Sequence, residues 1–197
     1  MEAFKRMLTA KAEYINSVDR KDEWLTLRDS INDQALIDAP ADTYIIHMRM
    51  AYFQLLGGAM MQALGGPSAL PGNITAILEL KRLINVPVLG AEDPEWAEDT
   101  RCLYNKSYGS SSSNGIGAMA EEFSRLVAHN GMASRGKSAL TEHFAAAWMA
   151  MIDELSQVKP DGFGRSSRSP SGGTGCLFVL IAVIGGFVVS HCLYSIL

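Results

Sequence analysis

Thr43-Tyr-Ile-Ile-His-Met-Arg-Met-Ala-Tyr-Phe-Gln-Leu-Leu-Gly-Gly-Ala-Met-Met-Gln-Ala-Leu64 has a single charged side chain, Arg49, and is apolar nearly all round. A helix without a polar face is either the buried centre of a bundle or a membrane segment. Arg49, His47, Gln54, Gln62 and the Gly57-Gly58 pair favour the bundle. An arginine at mid-bilayer costs about 3 kcal/mol even on insertion scales. Asp42 is placed to cap the start of this helix, and Gly65-Gly66-Pro67 forbids its continuation.

The flanking sequence supplies partners for such a centre. Phe4, Leu8, Ala12, Ile15 and Val18 recur at steps of three and four, the spacing of one helical face, so residues 3–18 read as an amphipathic helix. Trp24, Leu27 and Ile31 repeat the spacing in a second helix, which frays near Ile37 before Pro40. A Gly/Pro loop leads to a short helix from Ile74 to Asn85. Asp93-Pro94-Glu95 sets a cap, an N1 proline and an early acid in order, starting a helix through about Tyr104. Ser110 to Ser113 read as a loop. Helices follow from about Gly117 to His129, closed by Asn130-Gly131, and from Ser138, as its cap, to Gln157. No stretch alternates apolar and polar residues long enough for a strand, so residues 1–158 are expected to form an all-α bundle of about six helices.

The last 22 of the 197 residues differ in kind. Cys176-Leu-Phe-Val-Leu-Ile-Ala-Val-Ile-Gly-Gly-Phe-Val-Val-Ser-His-Cys-Leu-Tyr-Ser-Ile-Leu197 carries no formal charge. As a helix it reaches about 33 Å, the thickness of a bilayer's hydrocarbon core. It is expected to be a single C-terminal transmembrane anchor. Residues 159–175, rich in Gly, Ser and Pro, read as a flexible linker whose serines beside Arg165 and Arg168 are candidate phosphorylation sites. Lys159, Arg165 and Arg168 precede the anchor and nothing basic follows it, which by the positive-inside bias puts the body in the cytosol. The mixed charges of residues 1–13 leave no signal peptide, giving the same topology. The missing basic flank after the anchor favours an endoplasmic or secretory membrane over the mitochondrial surface. Within the anchor Ala182, Gly186 and Ser190 recur every four residues, and such a stripe of small side chains lets two helices approach closely, making a homodimer through the membrane helix a further expectation.

Charge and cysteine usage narrow the function. The net charge of −4 divides into +2 over residues 159–170 and −6 over the first 158. An acidic body is a poor partner for nucleic acid, which requires a basic face. Cys102, Cys176 and Cys192 are too few and too unevenly spaced for a disulfide framework or a zinc site, which suits a reducing compartment. The four histidines lack ligand-spaced carboxylates, so no metal and no cofactor is expected.

One motif invites chemistry. Gly131-Met-Ala-Ser-Arg-Gly136-Lys137-Ser138 matches the phosphate-loop spacing, in which backbone N–H groups and a lysine cradle phosphates and a hydroxyl takes magnesium. That chemistry needs a buried strand delivering the loop. The residues before Gly131, Glu121-Glu-Phe-Ser-Arg-Leu-Val-Ala-His-Asn, have a helical pattern instead. Gly131, Gly136, Lys137 and Ser138 are therefore secondary candidates for nucleotide binding, and no catalytic residue is assigned.

The expected function is a non-catalytic, membrane-anchored helical interaction module, an adaptor or accessory subunit whose partners are the lipid bilayer and another protein, a helix among the candidates. The layout of helical domain, near-central apolar helix, linker and tail anchor also resembles the general plan of the Bcl-2 family, which implies apoptosis control as an alternative. The chain has no Asn-Trp-Gly-Arg run, and Phe53-Gln-Leu-Leu-Gly57-Gly58 lacks the aspartate of that family's short motif.

Overall fold

In the computed structural model, described for residues 1–66, 70–85, 115–128 and 131–163, the periodic stretches become seven helices and no strand is present among the described residues. They are α1 (Glu2–Asn16), α2 (Val18–Ile31), α3 (Gln34–Ile37), α4 (Ala41–Ala63), α5 (Leu70–Asn85), α6 (Gly115–Val127) and α7 (Ser134–Gln157). The all-α reading therefore holds for the described residues. The expected helix at 94–104 and its following loop lie outside them.

α4 is the centre. It buries Tyr44, Met48, Met50, Tyr52, Leu55, Leu56, Ala59 and Met60, positions spread around most of its circumference, packing chiefly against α7 and also against α1, α2, α5 and α6. A helix wrapped on several sides needs no polar face, which is why its sequence resembled a membrane span. Among the described residues no helix is long and apolar enough to cross a membrane, α4 included. Around it, α1 contributes Phe4, Leu8, Ala12 and Ile15, and α7 contributes Leu140, Phe144, Trp148, Met151 and Leu155. Both follow the three-and-four spacing of a core-facing stripe. Trp24, Tyr52, Phe144, Phe123 and Tyr44 form a chain of ring contacts with centroids 5.3 to 6.4 Å apart through the middle of the bundle. Truncating such a side chain to alanine typically costs about 3–5 kcal/mol.

Element boundaries differ from the sequence expectations for local reasons. α1 stops at Asn16 because Ser17 turns extended (φ −69°, ψ 160°) and caps α2, its side chain accepting from the Arg20 N–H at 3.2 Å. α2 ends at Ile31 because Asn32 is left-handed (φ 53°), a conformation asparagine tolerates better than most residues. Asp33 then caps the short α3 through the Ala35 N–H (3.1 Å). The expected cap Asp42 lies in the first turn of α4, which Pro40 opens. Proline fits there because the first N–H groups of a helix have no partner within it. α5 has non-helical dihedrals at Asn73, so its regular part begins at Ile74, as the sequence suggested. α6 runs two residues earlier at both ends than expected. Packing continues past 158: Pro160 is buried and Phe163, 5% exposed, joins the common core.

Candidate functional site

α7 begins four residues before Ser138, and this correction explains the phosphate-loop spacing. Ala133 is the extended residue at its start, so Ser138 sits inside the helix and is not its cap. Gly131 adopts φ +73°, the left-handed turn that glycine allows at least cost. Gly136 is buried in the first turn of α7 against the Asp33 carboxylate. A β-carbon there would overlap Asp33 Oδ2 and lie 3.0 Å from Asp33 Cγ. Asp33, 6% exposed, accepts from the Ala35 N–H at 3.1 Å with Oδ1 and from the Ala133 N–H at 2.9 Å with Oδ2. One carboxylate thus ties the start of α3 to the start of α7. At the mouth of the motif the chain's own anion takes a backbone N–H that a phosphate loop would offer to a nucleotide.

The other two motif residues turn outward. Lys137 Nζ donates to Glu121 of α6 at 2.8 Å, and exposed Ser138 directs its hydroxyl at Glu142 Oε1 at 3.4 Å. The element preceding Gly131 is the helix α6. Beside the motif lies a cleft of about 400 Å³ walled by Asp33, Gln34 and Asp38 on one side and Gly131, Arg135 and Gly136 on the other.

A second cluster, which the sequence did not announce, joins α1, α2, α4 and α7. The Arg20 guanidinium lies 4.5 Å from the Tyr52 ring centroid, 5.3 Å from Tyr14 and 5.6 Å from Trp24. It pairs with Glu23, which also accepts from the Tyr14 hydroxyl. A guanidinium on aromatic faces is attracted by their quadrupoles, more strongly where water is excluded. Tyr52, 1% exposed, shares a 2.6 Å hydrogen bond between its hydroxyl and His143 Nε2. Burial pushes the Tyr52 phenol above its usual range, opposed in part by the charge of Arg20. Burial, and secondarily Arg20, hold His143 below the ordinary histidine range. The Tyr14 hydrogen bond, aided by Arg20, holds Glu23 below the usual carboxylate range. Tyr44, raised by burial, donates from its hydroxyl to the Trp24 carbonyl at 3.0 Å, and Arg28 lies over its ring at 5.8 Å. The cluster binds α2 to the bundle through stacked cations and two tyrosine hydroxyls.

Three tyrosines and an arginine carry no sequence motif at these spacings, since the contacts span α1 to α7. Asp33 fell inside the stretch that reads as the fraying end of the second helix, so no local signal marked it as a cap. Among the described residues no group of three or more His, Cys, Asp or Glu side chains is placed to hold a metal ion. Ala182, Gly186 and Ser190 lie outside the described residues, as do the phosphorylation candidates of the linker. No protein-family profile, no curated protein and no solved structure matches this chain.

Proposed function

We propose that this protein is a membrane-tethered helical interaction module, in which the helical domain of residues 1–158 is held at a membrane by residues 176–197 and presents its surface to a protein partner in the cytosol. The observation that carries this reading is the run of 22 uncharged residues directly after a Gly/Ser/Pro tract with Lys159, Arg165 and Arg168 on its body side. Such a run is long enough to span a bilayer, and the placement of basic residues orients it. The bundle's single core, reaching from Phe4 to Phe163, supports a body that is displayed as one unit. Protease protection tests the topology: protease added to sealed microsomes is expected to digest the body. A body protected until detergent is added overturns the cytosolic assignment. Detergent pull-down of the full chain is expected to recover a stoichiometric protein partner.

A further inference from the structure

α2 is the weakly held layer of the bundle. Its sequence, Val-Asp-Arg-Lys-Asp-Glu-Trp-Leu-Thr-Leu-Arg-Asp-Ser-Ile, fully buries only Trp24, whereas α7 buries six residues. With one fully buried anchor and Leu25, Leu27 and Ile31 only part-buried against the core, α2 leans heavily on the polar and cation–aromatic ties just described. Segments with few buried apolar contacts open at lower free energy than the core.

Tyr44 holds α2 through the Trp24 carbonyl and Arg28, and a second group of ties converges on another side chain. Tyr52 of α4 has the Arg20 guanidinium of α2 on its ring and His143 of α7 on its hydroxyl. Arg20 is balanced by Glu23, which is held by Tyr14 of α1. The groups acting on His143 are Tyr52 from α4, which bonds its Nε2, and the charge of Arg20 from α2; Glu23 and Tyr14 partner Arg20, and Glu142 is the sequence neighbour of His143 on α7. Neutral His143 can share its hydrogen bond with Tyr52 in either direction. A protonated ring can only donate, and it carries a second positive charge to the phenol already stacked under Arg20.

We propose that α2 is an acid-releasable strap: protonation of His143 places a second cation against Tyr52, weakens the seat of Arg20 on that ring, and lets α2 lift from the Trp24–Tyr52 surface while α4 and α7 stay packed. Glu23 and the tyrosines keep their charge state through mild acid, because Glu23 titrates below the usual carboxylate range and Tyr52 above the phenol range. His143 is the group in this cluster whose ordinary range lies between neutrality and mild acid, and burial in the strapped state holds it below that range. The strap is independent of whether residues 176–197 anchor the chain.

Hydrogen–deuterium exchange on the full chain in detergent micelles tests it, with rates corrected for the intrinsic effect of pH. Between about pH 7.5 and about pH 5, exchange of the α2 amides is expected to rise about tenfold relative to those of α4 and α7, and His143→Gln is expected to abolish that rise. Acid that leaves α2 as protected as α4, or an equal rise in His143→Gln, overturns the proposal. If His143→Gln does not fold, Arg20→Gln serves: removing the cation above the ring is expected to lower α2 protection at neutrality and shrink the acid effect to under about threefold. An undiminished tenfold rise in that variant would contradict the mechanism.

Discussion

Asp33 and Gly136 are in such close contact that no β-carbon fits between them, although about a hundred residues of sequence separate them. The glycine lets the carboxylate reach the start of α7, and the carboxylate fixes where α3 and α7 meet. The two residues should behave as a unit in mutagenesis.

Gly136→Ala is expected to cost about 2 kcal/mol, because a buried, hydrogen-bonded carboxylate must move. An alanine in a helix interior would otherwise gain up to about 1 kcal/mol over glycine. Asp33→Ala removes the carboxylate that accepts from two backbone N–H groups and should cost about 1–3 kcal/mol. In the Asp33→Ala background Gly136→Ala should become neutral or stabilising, which urea denaturation of the four proteins in a double-mutant cycle will read directly. Additive losses would show that the contact is not the reason for the glycine.

Lys137→Ala should be nearly silent. Its partner Glu121 is 61% exposed, and a surface pair of this kind contributes about 0.2–1 kcal/mol. Titration with ATP or GTP is expected to give no thermal stabilisation that depends on Lys137. Micromolar affinity that disappears in the mutant would restore the phosphate-loop reading.

Tyr44→Phe removes a buried hydroxyl that donates to the Trp24 carbonyl and leaves that carbonyl without the bond. A loss of about 1–2 kcal/mol in global stability is expected. Trp24→Ala should cost about 3–5 kcal/mol, since it is the one fully buried residue of α2.

Stability should also depend on pH through His143. Its folded-state value lies below the ordinary 6.5, so the unfolded chain takes up the proton first. The unfolding free energy is therefore expected to fall as pH drops below about 6.5, down to the lower folded-state value, with a slope that His143→Gln reduces. Chemical denaturation at a series of pH values measures both slopes. A stability that rises with acid over this range would reverse the sign assigned here.

Periodicity carried much of the fold. Phe4, Leu8, Ala12 and Ile15 announced α1, and Gly65-Gly66 announced the stop after α4, because both signals are local. The start of α7 was misplaced at Ser138 because Gly131 to Lys137 read as a loop with phosphate-loop spacing and Ser138 as the cap after it. Only Gly131 has a positive φ; Gly136 is helical and small because of Asp33, a contact that no local window contains. Arg20 was equally invisible. Its three aromatic faces come from three helices, and only their packing makes the arginine a structural residue rather than a solvated one.

Within the tail, Gly186→Ile is expected to reduce crosslinked homodimer, since a branched side chain would separate helices meeting at Ala182, Gly186 and Ser190. Val183→Ile, off that face, should leave crosslinking unchanged. Equal crosslinking in wild type and Gly186→Ile would exclude this face as the contact.

Carbonate extraction of membranes from cells expressing either the full chain or a chain ending at Gly175 tests the tether itself. The full chain is expected to remain in the membrane pellet and the shortened chain to move entirely to the supernatant. A shortened chain that stays in the pellet, or a full chain released by carbonate, would contradict residues 176–197 as the anchor.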